Sequence, residues 1–571
     1  MREIVTLQLG GFANFVGSHF WNFQDELLGL AADPDSDPVF KNQHIDMDVL
    51  YRSGETQQGS VSYTPRLVSV DFQGSLGSMS SRGTLYNETT SATSDVKTWA
   101  GNVSTHASGP HKKNLFLQRM YEEEQENATL MDGGNNYSHG EIHDKDIVES
   151  LESSVKFWTD FSKVHYHPQS LYELSGLWMD VQDFDNYGIG RDAFSAGLRG
   201  EEINERLRFF VEECDHIQGF QFIVDDSGGF SAVAADFLEN MADEYPNTPV
   251  LLFSVRDPGS RPNPISQKQT VFRDLHDAVS FSRLSSFSKL IVPFGLPSLS
   301  TSKAASYLRI KDEKPYHCSA VYAATLHTIS LPFRMDQLGP SAVSRDISGS
   351  LDVSGLIHML AGQGRQNMVS ILDVAMPAPS LTGKQVEQTL LNNLQSLTPE
   401  ITENVEDAQA VESITVQGTF SSGNTRASVP EINDKVDAAY KRATSRPMFC
   451  HLCVAQSPLP IPLPFPPIFG KLVGQHGELL DRSNTSSSSR GSLDVHSIPM
   501  AARLRSSSAV LPFVENRLMK LRRFGIERGA PGAQVVRSWG FGQEELDDMS
   551  EMLSKLVLAL KPDSEFLSDS D

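Results

Sequence analysis

A chain of 571 residues with 39% hydrophobic content can bury a large core and reads as roughly two or three domains. Its formal net charge of -24 repels nucleic acid and anionic lipid at long range, which sets aside a nucleic-acid-binding role. Four cysteines, Cys214, Cys318, Cys450 and Cys453, are too few for a secreted disulfide scaffold.

The chain opens with Met-Arg-Glu-Ile-Val and enters a strand at once. It has no apolar leader core, and Glu3 argues against an Arg-rich transit peptide. Ile4 to Leu9 alternates as a strand, Gly10-Gly11 turns the chain, and Phe15, Val16, Phe20, Trp21, Phe23, Leu27 and Leu28 mark an amphipathic helix. A strand, a glycine turn and a helix open a nucleotide-binding type of α/β fold. Leu67 to Phe72 is a second buried strand. Residues 76–150 turn rich in Ser, Thr, Asn and Glu, and are read as a long, largely flexible insertion. A helix follows over Gly200–Cys214, a strand over Gly219–Val224, a helix over Ser231–Tyr245 and a strand over Val250–Val255. Strands alternating with helices predict a mostly parallel sheet over residues 1–255.

Residues 256–475 read as an intermediate α+β domain. Cys450 and Cys453 form a lone CxxC around His451; no second pair exists for zinc, and two half-buried thiols on a strand are expected. Met448 to Val473 is the longest apolar stretch, but Pro458, Pro460, Pro462, Pro464, Pro466 and Pro467 make it extended rather than a membrane helix. Any membrane association is therefore expected to be peripheral. Residues 476–510 are read as a Ser-rich linker, and 511–571 as a C-terminal helical region with an acidic tail. Its clearest helix spans Gln543–Lys561, striped by Leu546, Met549, Leu553, Leu556 and Leu560.

The opening MREIVTLQLGGFANFVGSHFW resembles the first strand, loop and helix of tubulin, with Gly10, Asn14 and Gly17 on the tubulin pattern. Tyr63 to Asp71 (YTPRLVSVD), the stretch ending in Asn186-Tyr187-Gly188-Ile189-Gly190, and Cys214 to Gln221 (CDHIQGFQ) resemble later tubulin motifs in the same order. A weaker likeness reaches SAVYAATLHTISLPFR, residues 319–334. With a long insertion and a divergent second half, the chain is identified as a member of the Misato family of tubulin-like proteins. The resemblance implies an α/β fold with a Rossmann-like nucleotide-binding-type domain, a second α+β domain and C-terminal helices. It implies a non-enzymatic protein of the cytoplasm and the mitochondrial outer membrane, acting in mitochondrial distribution and morphology. The alternative is a GTP-binding factor that assists tubulin, microtubule or spindle assembly. Partners implied are tubulin, the cytosolic chaperonin and the outer-membrane surface.

The resemblance also places a vestigial nucleotide site at Gly10, Gly11, Asn14, Asp71, Asn186, Gly188, Gly190, Ser227, Gly228, Gly229 and Ser231. Tubulin cradles phosphate on glycine-rich turns whose backbone N–H groups and helix N-terminus face the anion. Here Phe230 replaces the threonine that bonds phosphate, Ser231 and Val233 replace glycines, and Asp225-Asp226 put two charges where phosphate would arrive. Gln73 stands where tubulin has a metal-linked Glu, and Lys303 and Tyr307 fall at the base-reading positions. Asp352 matches part of the catalytic-acid motif, but Gly355 occupies the acid position. No catalytic residue and no metal site are assigned; whether GTP is bound is left open. Arg503, Arg505, Arg517, Lys520, Arg522 and Arg523 form the one cationic cluster, read as a solvated face or as a contact for acidic tubulin tails or anionic lipid.

Overall fold

The computed structural model describes residues 2–41, 44–55, 61–81, 83, 112–132, 142–181, 183–260, 266–335, 347–362, 367–381, 390–403, 405–421, 425–443, 446–480 and 489–561. The acidic tail of the C-terminal region lies outside them.

The first sheet has six strands, all parallel: β1 (Glu3–Leu9), β2 (Leu67–Gln73), β3 (Leu171–Trp178), β4 (Ile217–Asp225), β5 (Val250–Val255) and β6 (Leu290–Phe294). Their spatial order is β3-β2-β1-β4-β5-β6. The order reverses at β1, and a cleft forms beyond the carboxyl ends of the strands at that reversal, as open α/β sheets require. Continuous apolar strands such as VLLFSV fit a sheet covered on both faces. One face carries α1 (Gly11–Ala32); the other carries α4 (Tyr187–Ser195), α5 (Arg199–Glu212), α6 (Phe230–Glu244) and α7 (Gln267–Phe287), while α2 (Leu115–Asp132) and α3 (Asp144–Ser154) lie to the side. The first face is completed by α8 (Pro315–Arg334). Ile4 and Val5 of β1 face these two separate cores, as the two-residue period of a strand dictates.

The second sheet contains β7 (Ile347–Ser348), β8 (Ile371–Ala375), β9 (Gln395–Ser396), β10 (Val411–Gln417), β11 (Phe449–Ala455) and β12 (Met500–Ser506), in the order β9-β8-β12-β10-β11-β7. It is mixed: β12 runs antiparallel to β8 and β10, and β10 pairs in parallel with β11. Helix α9 (Val429–Arg442) covers one face, while Leu372, Val374, Ala502 and Leu504 join the core around α8 on the other. Every residue of α8 from Tyr316 to Arg334 is buried, because the helix is shared between the sheets. The C-terminal helices α10 (Leu511–Leu521) and α11 (Gln543–Leu560) pack on α7, with Phe281 and Phe513 edge to face at 5.1 Å. The α11 stripe Leu546, Met549, Leu553, Leu556 and Leu560 is buried there.

Three expectations change. The span 76–150 is not uniformly unstructured: α2 and α3 form within it, and Phe116, Ile147 and Leu151 bury against Phe161 and Tyr316. Residues 84–111 and 133–141 lie outside the described ones. The span 476–510 is not simply a linker, because Met500–Ser506 is an inner strand of the second sheet. Its serine-rich flank masked an alternation of small apolar and arginine side chains. The cationic cluster is not a free patch either. Arg503 and Arg505 reach Asp373, itself 1% exposed, at 2.7 and 2.8 Å; Arg503 also meets Glu412 at 3.3 Å. Arg517 pairs with Glu400 at 3.1 Å and Lys520 with Asp274 at 2.8 Å, while Arg522 donates to Ser550 and Ser554. Cys450 and Cys453 lie three residues apart on β11, so their side chains leave opposite faces; Cys450 is half-buried and Cys453 buried. Among the described residues no helix is long and apolar enough to cross a membrane.

Candidate functional site

The cleft at the carboxyl ends of β1, β2 and β4 has a volume of about 440 Å³. Gly10 ends β1 with φ 101°, a conformation open to glycine at little cost, and a Cβ there would sit 2.8 Å from that of Asp225. Helix α1 starts at Gly11, which has open space around it. The positive end of α1 does not await an external anion. Asp225 accepts the Phe12 N–H at 3.3 Å, and its other oxygen takes the Ser227 N–H at 3.1 Å and the Ser227 hydroxyl at 2.6 Å. Burial raises the Asp225 carboxyl above the ordinary carboxylate range, partly offset by these bonds.

The two aspartates expected to repel phosphate part company. Asp226 turns to Ser254 at 2.6 Å and to Arg256 at 2.7 Å, and Arg256 also pairs with Asp277 at 3.2 Å. The charge of Asp226 is therefore neutralised within the protein, while that of Asp225 stays at the cleft. Nothing at Arg256 in the linear sequence signals this pairing.

The glycine loop is occupied by protein. Gly229 N–H donates to the Phe184 carbonyl at 2.8 Å. Cβ atoms added at Gly228 and Gly229 would meet Phe184 at 2.3 and 2.6 Å. One at Gly190 would lie 1.9 Å from the Gly229 carbonyl oxygen, and one at Gly188 would lie 2.2 Å from Trp539. These glycines are accounted for by chain-against-chain packing. Ser231 is buried and points inward, donating to the Gly228 carbonyl at 2.9 Å and meeting Ser280 at 2.8 Å. Phe230 packs against Phe72 and Phe184, with all three ring pairs between 4.9 and 5.1 Å. This phenylalanine triad closes over the loop where phosphate would approach. Phe72 and Phe184 carried no sign of it in the sequence, because the three residues are far apart along the chain.

Asn14 and Asp71 do come together: Asn14 Nδ2 donates to Asp71 at 3.0 Å, and Ser69 donates to Asn14 Oδ1 at 2.9 Å. Asp71 is 3% exposed, and burial pushes its carboxyl up to about 6 against the bonds from Phe72 N–H and Asn14. Asn186 caps α4, accepting the Ile189 N–H at 3.1 Å, and its amide donates to Asp185 at 3.0 Å. Gln73 accepts the Gly176 N–H at 2.8 Å. Lys303 and Tyr307 line a different cleft with Met376 and Pro377, and Lys303 pairs with Glu403 at 2.6 Å, so neither reaches this site. Asp352 caps its short helix by accepting the Gly355 N–H at 2.7 Å and pairs with Arg2 at 2.8 Å. A Cβ at Gly355 would come within 2.7 Å of Leu351. An acid there would have to displace its own neighbour.

The cleft lining carries five aspartates, Asp71, Asp180, Asp183, Asp185 and Asp225, and one lysine, Lys156. Among the described residues no group of three or more His, Cys, Asp or Glu is placed to hold a metal ion. A triphosphate would meet net negative charge, a filled helix N-terminus and a covered glycine loop. As a phosphate cradle the arrangement does not fit.

Comparison with known proteins bears on the scaffold. The Misato Segment II tubulin-like domain model matches residues 2–122, and the Tubulin domain model matches residues 148–335. Protein misato homolog 1 of Mus musculus is 30% identical over 97% of this chain and 96% of its own. The chain belongs to the Misato family of tubulin-like proteins. Protein misato homolog 1 of Homo sapiens is 31% identical over 68% of this chain and 67% of its own, and Protein DML1 of Gibberella zeae is 31% identical over 66% and 68%. The Misato-family chain is thus a tubulin-related protein with a mostly parallel α/β domain, and the altered cleft sits on the carboxyl ends of its strands.

Proposed function

We propose that this chain is a non-enzymatic tubulin-like scaffold acting in mitochondrial distribution and morphology, from the cytoplasm and peripherally at the outer membrane. The observation that carries the non-enzymatic half is the cleft: Asp225 takes the place of an anion at the α1 N-terminus, and the Phe72–Phe184–Phe230 triad covers the glycine loop. The mitochondrial half is supported by the family to which the chain belongs. Tubulin and the cytosolic chaperonin are the proposed protein partners. With Arg503, Arg505 and Arg517 engaged in internal ion pairs, attachment to anionic lipid through that cluster is disfavoured.

Two measurements test the reading. Chromatography of the denatured, gently purified full-length protein should release guanine nucleotide far below one equivalent; a stoichiometric amount overturns the non-binding scaffold. Depletion of the protein should disturb the mitochondrial network, and Asp71→Asn should rescue it as well as wild type. Normal mitochondria after depletion would overturn the organelle assignment.

A further inference from the structure

The same cleft has walls that suit a different ligand. Besides its five aspartates it is lined by six aromatic side chains: Phe15, Phe72, Phe157, Trp158, Phe184 and Phe230. Trp158 is 1% exposed, and its indole N–H has no acceptor among the described residues. Flanking the lining residues Met179 and Asp180 along the chain, Trp178 is 54% exposed and Val181 72% exposed. Large apolar side chains left in water next to a concave, charged wall mark a contact surface, and tryptophan is the side chain that most often anchors one. The cleft volume of about 440 Å³ lies within the roughly 300–1,000 Å³ range of binding pockets.

We propose that the cleft is a docking site for a basic segment of a partner protein, entered by an arginine side chain. This rests on the reading that the cleft holds no nucleotide. Charge complementarity selects a cation: the exposed Asp180, Asp183 and Asp185 face one lysine, and Lys156 is already shared with Asp180 at 3.4 Å. The aromatic walls select arginine over lysine, because a planar guanidinium stacks on ring faces and forks to carboxylates. Asp183 and Asp185 are exposed at the mouth and meet the segment first. The exposed Trp178 and Val181 then take an apolar residue flanking the arginine.

Isothermal titration of the full chain tests this with four probes: a capped alternating arginine–leucine pentapeptide, its glutamate–leucine counterpart, spermidine, and magnesium GTP. The arginine peptide should bind at one equivalent and weaken as salt rises. Asp183→Lys and Trp178→Ala should each weaken it by roughly tenfold or more. Asp548→Lys, the same charge change on the outer face of α11, should leave it unchanged. Circular dichroism confirms that each variant is folded. Absence of arginine-peptide binding, or binding insensitive to both cleft variants, overturns the docking site while leaving the nucleotide-free scaffold standing. Spermidine binding as tightly as the peptide overturns the protein partner in favour of a small polyamine. Stoichiometric GTP binding that competes with the peptide overturns both readings.

Discussion

Asp71 stands where the tubulin resemblance puts a nucleotide-site residue. Its carboxyl is 3% exposed and is held up at about 6 by burial. The folded value exceeds the ordinary one of about 3.9, so the favourable neutral form contributes fully below about pH 4 and that contribution is lost as pH rises through 6. At pH 7 the ionised, buried carboxylate is a cost. Asp71→Asn carries no charge; its single amide oxygen keeps the bond from Phe72 N–H and gives up the one from Asn14, as the protonated carboxyl does. It should stabilise the fold at pH 7 by on the order of 2 kcal/mol, with no gain below pH 4, read by urea denaturation at both pH values. A loss of stability at pH 7 would mean that the carboxylate is needed charged. The tubulin resemblance singled out Asp71 and Asn14 in the sequence, and the structure pairs them. What no motif could convey was the company they keep: Phe72, next in sequence, turns to Phe184 and Phe230.

At the scale of elements, α3 depends on one carboxylate. Glu152 accepts from Lys311 and Lys314 at 2.6 Å and from His317 at 2.8 Å, fastening the insertion to the start of α8. Partial burial alone would raise its carboxyl, but the three cationic or N–H donors win and hold it well below the usual range. A depressed carboxylate stabilises above its unfolded value and loses that contribution as pH falls through the folded one. The fastening should therefore persist at neutral pH and fail only in strong acid. Glu152→Ala should release α3 at pH 7, seen as faster proteolytic cleavage within residues 142–154 while the first sheet stays protected. Unchanged cleavage would show that Ile147 and Leu151 hold the helix by themselves. The polar composition of 76–150 concealed these helices, since so few apolar residues, Phe116, Ile147 and Leu151, anchor them. Strand β12 was hidden for the opposite reason. Its arginines look like solvent-facing charges until Asp373 and Glu412 arrive from neighbouring strands.

For the molecule as a whole, α8 is the element on which both sheets depend. Its apolar residues, Leu326 among them at 1% exposure, belong to a core that takes in strands of each sheet. Leu326→Ala should cost about 2–5 kcal/mol through lost burial and the cavity left behind. Because the core is shared, the loss should lower hydrogen-exchange protection of β5 and β12 together. Protection lost in one sheet only would show that the sheets unfold independently. The helix also carries a buried polar cluster: Gln24 of α1 meets His327 at 3.0 Å, and Arg334 lies beside both. With no carboxylate ion pair among the described residues, burial lowers the Arg334 guanidinium to about 9. Such a cluster ties α1 to α8 by direction as well as by area.

The sequence by itself determined the tubulin-like scaffold. Strand and helix periods are local, and the order of strand, glycine turn and helix over residues 1–255 left few topologies to choose from. It also determined that the glycine loop was altered, because Phe230 and Val233 stand in the chain for anyone to read. Only the tertiary structure decided what the alteration amounts to. Asp225 meets the start of α1 across 213 positions, and Phe72 at the end of β2, Phe184 before α4 and Phe230 at the start of α6 meet from three separate parts of the chain. Contacts of that separation follow from how the strands are stacked, and no residue pattern along the chain encodes them.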